Sequence, residues 1–279
     1  MNVSDAVAKR YSTRAFLDRP VDGALVRELL ELAALAPSGG NLQPWIVQVI
    51  AGERQAGLKR VMAAKLDAGE REKGEYNVYP PNLWEPLNGR RATAASQRFD
   101  ATGIVDDPAG AVEMQRENFA FFGAPVGLFF SLDRRCGPPQ WADVGMMMQT
   151  FMLLAVERGL ATCPQMIWAR WPKTVSTYLE IPESHILYSG MSLGYADESS
   201  KWNSFRTARA PLADFAQPRH RRLLLPRRST PPRPDRLPRR PESTDRGSRW
   251  LFPTPSGIRR VVRSPTPPPA SRRASALIL

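Results

Sequence analysis

Between its first helical pattern and its first strand pattern, the chain reads Ala36-Pro37-Ser38-Gly39-Gly40-Asn41-Leu42-Gln43-Pro44-Trp45. Paired glycines allow a backbone to approach a flat ligand closely, and the side chains of Ser38 and Asn41 offer hydrogen bonds to ring edges. Pro37 and Pro44 stiffen the stretch at both ends. Taken alone, the stretch is equally compatible with a tight turn from helix to strand, so its meaning depends on the rest of the chain.

Helical and strand patterns alternate on both sides of this stretch. Leu25, Leu29 and Leu32 recur at helical spacing after Asp22, a suitable N-cap. Further helices are predicted at about residues 53–66, 109–122, 140–158 and 173–179, and strands at residues 45–50, 126–132 and 185–195. Residues 74–108 contain several prolines and few periodic signals, which predicts a long functional loop over a pocket.

Composition divides the chain near Gln217. The formal charge is +12, but residues 218–279 hold 16 Arg, no Lys and 3 acidic residues, whereas residues 1–217 carry 23 Lys and Arg against 24 Asp and Glu. Of the 27 prolines, 13 follow residue 217. Such a segment cannot bury enough apolar surface to offset its conformational entropy. We therefore predict a folded domain over residues 1–217 and a disordered Arg/Pro-rich tail over residues 218–279.

The tail has two interpretations. Its cations are all Arg, with Pro and Ser filling much of the remainder, which is typical of an out-of-frame reading of a GC-rich gene. A frameshift near codon 217 is our hypothesis, and one uninterrupted frame on resequencing would contradict it. The other interpretation is a genuine arm that makes this a nucleic-acid-binding protein acting by counterion release. The absence of Lys and the scarcity of interleaved aromatics weigh against it, so we expect only non-specific contact with nucleic acid.

Several protein classes are disfavoured by composition. No run approaches the roughly eighteen consecutive apolar residues that a membrane span requires, and the N-terminus does not resemble a signal peptide. Cys136 and Cys163 are too few for a disulfide framework, and His185 and His220 add too little for a zinc site. No Gly-x-Gly-x-x-Gly or Walker loop indicates a separate dinucleotide-binding domain. We expect a cytoplasmic protein that binds neither metal nor membrane.

Two arginine-rich segments offer binding groups for an anion. In Arg10-Tyr11-Ser12-Thr13-Arg14, two guanidinium groups bracket two hydroxyls and can form charge-assisted, bidentate hydrogen bonds to a phosphate. Near the end of the predicted domain, Arg206 and Arg209 could neutralise a second face of the same group. A solvated surface is the competing interpretation of the first segment when it is considered alone.

Taken together and in order, these motifs resemble the nitroreductase family. The resemblance covers roughly residues 3–217 and is greatest to the branch that acts on nitrobenzoates and related nitroaromatics. It implies an α+β fold with a mixed sheet flanked by helices, assembled as an intertwined homodimer with two FMN sites built from both subunits. The motifs that carry it are Arg10-x-Ser12-x-Arg14, Pro37-Ser38-Gly39-Gly40-Asn41-x-Gln43-Pro44-Trp45, Thr162-Cys163-Pro164-Gln165, Gly190-Met191-Ser192-Leu193-Gly194-Tyr195 and Arg206-x-x-Arg209.

The resemblance also implies roles for particular residues in binding FMN. The phosphate, ribityl chain and pyrimidine edge would be bound by Arg10, Ser12 and Arg14, and Arg209 with Arg206 would complete the phosphate site. The ring would be lined from the partner subunit by the loop residues Pro37, Ser38, Gly39, Gly40 and Asn41, with Gln43 as support. The region near the reactive flavin N5 would be covered by Pro164, Gln165 and Met166, whose backbone N–H groups can hydrogen-bond.

The reaction implied by the resemblance is a ping-pong transfer. NAD(P)H reduces the flavin at N5 and leaves, and a nitroaromatic molecule then enters the same space. No catalytic side chain is required, and Cys163, which precedes a proline and has no evident histidine partner, is not expected to be a nucleophile. The motifs are equally compatible with reduction of quinones, activated alkenes or halogenated phenols.

Aromatic residues are candidates for stacking on a small aromatic substrate. Tyr76, Tyr79 and Trp84 lie in the predicted loop, and Phe119 or Phe122 could serve likewise. Packing of the core or of the dimer by the same side chains is an equally good interpretation.

Overall fold

A four-stranded antiparallel sheet lies at the centre of the computed structural model, which describes residues 1–104 and 107–217. The strand order is β1-β2-β4-β3, so β2 and β4 are the inner strands. The only parallel contact recorded among the described residues is an isolated bridge between Ser12 and Thr162. The strands are Ile46–Ala51 (β1), Val126–Asp133 (β2), Ala161–Gln165 (β3) and His185–Gly194 (β4).

Helices cover both faces of this sheet. They are Val3–Lys9 (α1), Gly23–Ala33 (α2), Gly52–Asp67 (α3), Leu87–Thr102 (α4), Pro108–Phe119 (α5), Pro138–Glu157 (α6) and Pro172–Leu179 (α7). Helix α2 begins where the sequence predicts, because the Asp22 side chain accepts a hydrogen bond from the Ala24 N–H at 2.8 Å. The α+β class expected from the sequence is confirmed.

The core has two layers, one on each face of the sheet. Along β2, Leu128 and Phe130 pack toward α2 and α6, whereas Phe129, between them, packs toward α3, α5 and α7. This alternation follows from the two-residue period of a strand. Because both faces are covered, β2 is apolar almost throughout and reads as a continuous hydrophobic run.

Two glycines on the inner strands allow aromatic rings to lie directly against the sheet. A Cβ at Gly127 would lie 2.4 Å from the ring of Phe121, and a Cβ at Gly190 would lie 2.3 Å from the ring of Trp168. The two rings are neighbours, with centroids 4.9 Å apart. Glycine is therefore required at both strand positions by the close approach of the rings.

The predicted elements agree with the structure except in three places. Each predicted helix and strand is present with boundaries within a few residues, but residues 74–108 were wrongly predicted to be a loop, since α4 occupies Leu87–Thr102. Helix α4 has no buried residue, so it lacks the apolar periodicity that identifies a helix. The short elements α1 and β3 were not predicted, because seven and five residues provide too little pattern.

Residues Met1–Ala216 form one compact unit. Within the described ranges, no helix combines the length and the apolar character needed to cross a membrane. The predicted tail, residues 218–279, lies outside the described residues, so both interpretations of it stay predictions.

Candidate cofactor site

The N-terminal arginine segment runs beside the outer edge of β3. The Thr13 N–H donates to the carbonyl oxygen of Thr162 at 3.0 Å, and Ser12 forms the isolated bridge to the same residue. In an extended segment, alternate side chains point to opposite faces. Arg10, Ser12 and Arg14 therefore share one face of the segment, and Tyr11 and Thr13 share the other.

Three arginines converge on this edge of the sheet without a carboxylate. Partial burial and then the like charge of Arg209 lower the pKa of the Arg10 guanidinium, and the positive charges of Arg14 and Arg10 both act on the Cys163 thiol. Among the residues that the structure describes, no Asp or Glu lies within ion-pair distance of any of the three arginines. The cluster therefore holds unneutralised positive charge, which an anion would stabilise.

Cys163 lies beneath this cluster, but its chemistry is suppressed. The side chain is 2% exposed, and burial raises the pKa of the thiol even though Arg14 and Arg10 oppose the shift. A neutral, buried thiol is a poor nucleophile. Burial thus adds a reason, beside those in the sequence, not to expect a nucleophile at Cys163.

Arg206 is placed differently from the other arginines. Its guanidinium carbon lies 3.4 Å from the centre of the Tyr11 ring, and its Nη1 donates to the carbonyl oxygens of Asn203 at 2.7 Å and of Phe205 at 2.8 Å. Arg206 and Tyr11 line a cavity of about 760 Å³, which Arg10 and Arg14 do not line. In this conformation Arg206 links two segments of the chain, whereas Arg209 interacts with Arg10.

The end of β3 is fixed from inside the core. The Gln165 side chain is 2% exposed, and its Oε1 accepts hydrogen bonds from Ser192 Oγ at 2.8 Å and Trp168 Nε1 at 3.3 Å. Its Nε2 donates to the Asn118 carbonyl oxygen at 2.6 Å. The side chain is thus fully engaged internally, so any contact of Gln165 with a ligand must come from its backbone. Pro164 and Met166, on either side, are half-buried.

The glycine-rich loop is a turn that is held by hydrogen bonds between its own residues. Gly40, Asn41 and Gln43 have left-handed backbone angles, with φ of 58°, 56° and 47°. Ser38 Oγ accepts a hydrogen bond from the Gln43 N–H at 3.0 Å, and Gln43 Nε2 donates to Asn41 Oδ1 at 3.1 Å. Gln43 is therefore hydrogen-bonded within the loop, and its part in the cofactor site stays a prediction. Pro37 at the start of the loop is exposed.

Within one chain, this loop is remote from the arginine cluster. The Gly39 N–H lies 3.3 Å from both carboxylate oxygens of Asp143, near the start of α6. By contrast, Val156 near the end of α6 lines the same cavity as Thr13. Between Asp143 and Val156 the helix extends about 20 Å, at about 1.5 Å per residue. A single chain therefore does not bring the loop residues together with Arg10, Ser12 and Arg14.

Among the aromatic residues suggested for substrate stacking, three are used for packing. Phe119 and Phe122 are 2% and 4% exposed in the core, so the suggestion that they stack on a substrate is wrong. Both side chains belong to the core layer on one face of the sheet. The Tyr76 ring meets that of Trp141 edge-on at 4.9 Å, and its hydroxyl donates to the carbonyl oxygen of Tyr188. Burial raises the pKa of this hydroxyl.

Tyr79 and Trp84 remain free to contact a ligand. Their side chains are 51% and 58% exposed, and the guanidinium of Arg91 on α4 lies 4.8 Å from the centre of the Tyr79 ring. Their part in substrate binding stays a prediction.

The structure combines a helix-covered antiparallel sheet, a glycine-rich loop near the start of α6, and arginines at one sheet edge that have no ion-pair partner among the described residues. This arrangement is suited to a protein that binds a phosphate-bearing ligand. No cluster of three or more His, Cys, Asp or Glu side chains suited to a metal ion occurs among the described residues. Residues 7–195 match the model of the Nitroreductase family. The chain belongs to the nitroreductase family.

Individual relatives are similar over most of the chain. A 4-nitrobenzoate reductase of Pseudomonas putida is 37% identical over 211 residues, covering 75% of this chain and 92% of the relative. A chloronitrobenzene nitroreductase of Comamonas testosteroni is 36% identical over 215 residues, covering 76% of this chain and 95% of the relative. The crystal structure of an FMN and NADPH-dependent nitroreductase, NfnB from sphigopyxis sp. strain HMH, superposes with a TM-score of 0.75 at 43% identity, covering 78% of this chain and 98% of the other.

Proposed function

We propose that this chain is an FMN-dependent oxidoreductase that transfers hydride from NAD(P)H to nitroaromatic compounds. The observation that carries the proposal is the placement of Arg10 and Arg14 on one face of the segment beside β3, with the charge of Arg209 acting on Arg10 and, among the described residues, no carboxylate within ion-pair distance. The similar proteins support it, because they include reductases of 4-nitrobenzoate and chloronitrobenzene, and an FMN-dependent nitroreductase NfnB from Mycobacterium smegmatis in complex with NADPH.

The residues at the β3 edge fit a flavin mononucleotide. A phosphate there would relieve the repulsion between Arg10 and Arg209, and the fork of a guanidinium matches phosphate oxygens. The Ser12 hydroxyl shares a face with Arg10 and Arg14 and adds a donor for the phosphate or the ribityl chain. Because the flanking backbone is already tied to Thr162, binding requires little reordering of this segment.

FMN bound here would supply the chemistry of hydride transfer, and NAD(P)H and the nitroaromatic compound would use the same space in turn, in ping-pong order. The protein's own task is to bind and orient the cofactor and to enclose the substrate. Arg14 would hold the pyrimidine edge of the flavin and place positive charge beside it. The backbone at Gln165 and Met166 would cover the side of the flavin that carries N5, and the buried Gln165 side chain keeps that backbone in place.

A second copy of the chain completes the site. The loop residues Pro37 to Asn41, and Gln43, lie too far from the arginines to contact the same FMN within one chain, so we assign them to the neighbouring subunit's site. Large apolar side chains around the loop and α6 are exposed, with Leu35 at 79%, Leu42 at 62% and Met146 at 39%. An exposed apolar surface of this kind favours association. A homodimer in which each loop reaches the other chain's arginines would account both for the separation of loop and arginines within one chain and for the exposed apolar side chains.

The proposal is tested by the visible spectrum of the purified protein. We expect a yellow dimer with flavin absorption bands that NAD(P)H bleaches without oxygen and that an added nitroaromatic compound restores. A colourless monomer unable to take up added FMN would overturn the proposal. A panel of acceptors under the same conditions tests the substrate class, and a quinone, alkene or halogenated phenol as the fastest acceptor would overturn nitro reduction specifically.

Subunit complementation tests the shared site. Arg14→Ala removes one arginine of the cluster, and Gly40→Val distorts the loop, because valine is strained at a φ of 58°. Each variant dimer should bind little FMN. A mixed dimer, isolated with two affinity tags, should recover one of its two sites, since one site then combines the intact arginines of one chain with the intact loop of the other. If each site belonged to one chain, the mixed dimer would bind no more FMN than either parent.

A further inference from the structure

We propose that Asn203 is a positioning residue of the anion site, a step that rests on the proposed function. It fixes the N-terminal arginine segment against the following segment that carries Arg209, so that the positive charges of Arg10, Arg14 and Arg209 face one phosphate. Asn203 belongs to none of the motifs that identify the family in this sequence. It lies in the short turn Lys201–Asn203, and its side chain is 5% exposed.

Two of the three hydrogen bonds of the Asn203 side chain go to the N-terminal segment, and the third goes to Asp197. Asn203 Oδ1 accepts from the Arg14 N–H at 2.7 Å, and its Nδ2 donates to the carbonyl oxygens of Ala15 at 2.8 Å and Asp197 at 2.9 Å. Its own carbonyl oxygen accepts from Arg206 Nη1 at 2.7 Å. One residue thus contacts the backbone beside Arg14 and the side chain of Arg206.

The amide is suited to this task because it is neutral. The segments it joins carry like charges, shown by the effect of Arg209 on the Arg10 guanidinium. An aspartate would hold one backbone N–H equally well, but its charge would neutralise part of the cluster and compete with a phosphate. An asparagine supplies one acceptor and two donors without charge. The arginines therefore stay close together and stay available to an anionic ligand.

The role is local and does not maintain the whole fold. Other backbone bonds also tie the N-terminal segment in place, from the Asp197 N–H to Ala15 at 3.0 Å and from the Leu17 N–H to Tyr195 at 2.9 Å. These bonds remain when the Asn203 side chain is removed. We therefore expect Asn203→Ala to fold, with the change confined to the orientation of the arginines.

The test compares the affinities of FMN and riboflavin, which differ by the phosphate, for the full-length apoprotein. In wild type, FMN should bind more tightly than riboflavin. In Asn203→Ala, the ratio of riboflavin Kd to FMN Kd should fall about tenfold, because misplaced guanidiniums lose charge-assisted hydrogen bonds to the phosphate. Riboflavin affinity should fall less than FMN affinity, because riboflavin has no phosphate for the displaced guanidiniums to lose.

Ser200→Ala is the matched control. Ser200 Oγ caps the same turn by accepting from the Trp202 N–H at 3.3 Å, but it touches neither arginine segment. Its loss should weaken the turn and leave the affinity ratio at the wild-type value. If Asn203 served only to stabilise the turn, both variants would lower the melting temperature and neither would change the ratio.

The outcomes separate this inference from the proposed function. A wild-type protein that binds FMN no more tightly than riboflavin would contradict the phosphate site itself. A wild-type protein that discriminates, together with an unchanged ratio in Asn203→Ala, would overturn only the role of Asn203. If Asn203→Ala is insoluble, Asn203→Ser decides, since its shorter side chain cannot reach all three partners and should lower the ratio in the same direction.

Discussion

Arg14→Ala should purify with little bound flavin and should bind added FMN about ten- to hundredfold more weakly than wild type. This is the loss expected when a hydrogen bond from a charged group is removed. The fold should be retained, because the Arg14 N–H still bonds to Asn203, and the one side-chain hydrogen bond lost within the described residues is to the Ser12 carbonyl oxygen at 3.2 Å. Flavin absorbance per subunit and fluorescence titration measure the effect, and circular dichroism checks the fold.

The matched control for this prediction is Arg19→Ala. Arg19 is five positions further along, carries the same charge and stacks on the Tyr195 ring at 3.9 Å. It lines the cavity on the other face and does not belong to the cluster. Its loss should leave FMN affinity within about twofold of wild type, a change of under 1 kcal/mol. Full flavin retention in Arg14→Ala would remove Arg14 from the site, and equal losses in both variants would indicate an effect of net charge alone.

Gly190→Ala should destabilise the protein by about 3 kcal/mol, which corresponds to a fall of roughly 6 to 12 °C in melting temperature. The added Cβ would lie 2.3 Å from Trp168 Cδ1 and 2.9 Å from its Cγ. Trp168 is fully buried against Phe119, Phe121 and Phe129, so the ring has little space in which to move. Thermal unfolding followed by circular dichroism measures the change.

Gly23→Ala provides the control for this substitution. Gly23 is the first residue of α2, and a Cβ there would meet no atom within 4 Å. The same change should be neutral or slightly stabilising at this site, because alanine restricts the unfolded chain and favours helix. A Gly190→Ala protein as stable as Gly23→Ala would contradict the close packing of Trp168. A Gly190→Ala, Trp168→Phe double variant should lose less stability than the sum of the two single losses, because the smaller phenyl ring leaves space for the added Cβ.

The sequence predicted the buried elements well and the exposed ones poorly. The helix after Asp22 and the apolar run of β2 were recognisable because apolar periodicity records which faces are buried. Helix α4 was mistaken for a loop because none of its residues is buried, so its sequence has no apolar periodicity. Prolines just before it strengthened the mistaken interpretation.

At the site, the sequence identified residue types better than their orientations. It selected Arg10, Arg14 and Arg209, which the structure brings to one edge of the sheet. It gave no indication of Asn203, since a single buried polar residue in a short turn belongs to no pattern. The assignment of these residues to an FMN site stays a prediction, which the binding experiments above test.

The linear sequence alone indicated the family, through motifs in a characteristic order. It also predicted the helices and strands that have apolar patterns. Both signals can be read from the order of residues along the chain. Only the tertiary structure decided that the Gln165 side chain faces the core, that Arg206 turns away from Arg10, and that the loop at Gly39 lies at the far end of α6. These facts depend on which distant segments meet, and long-range contacts are set by packing of the whole sheet and its helices rather than by local spacing.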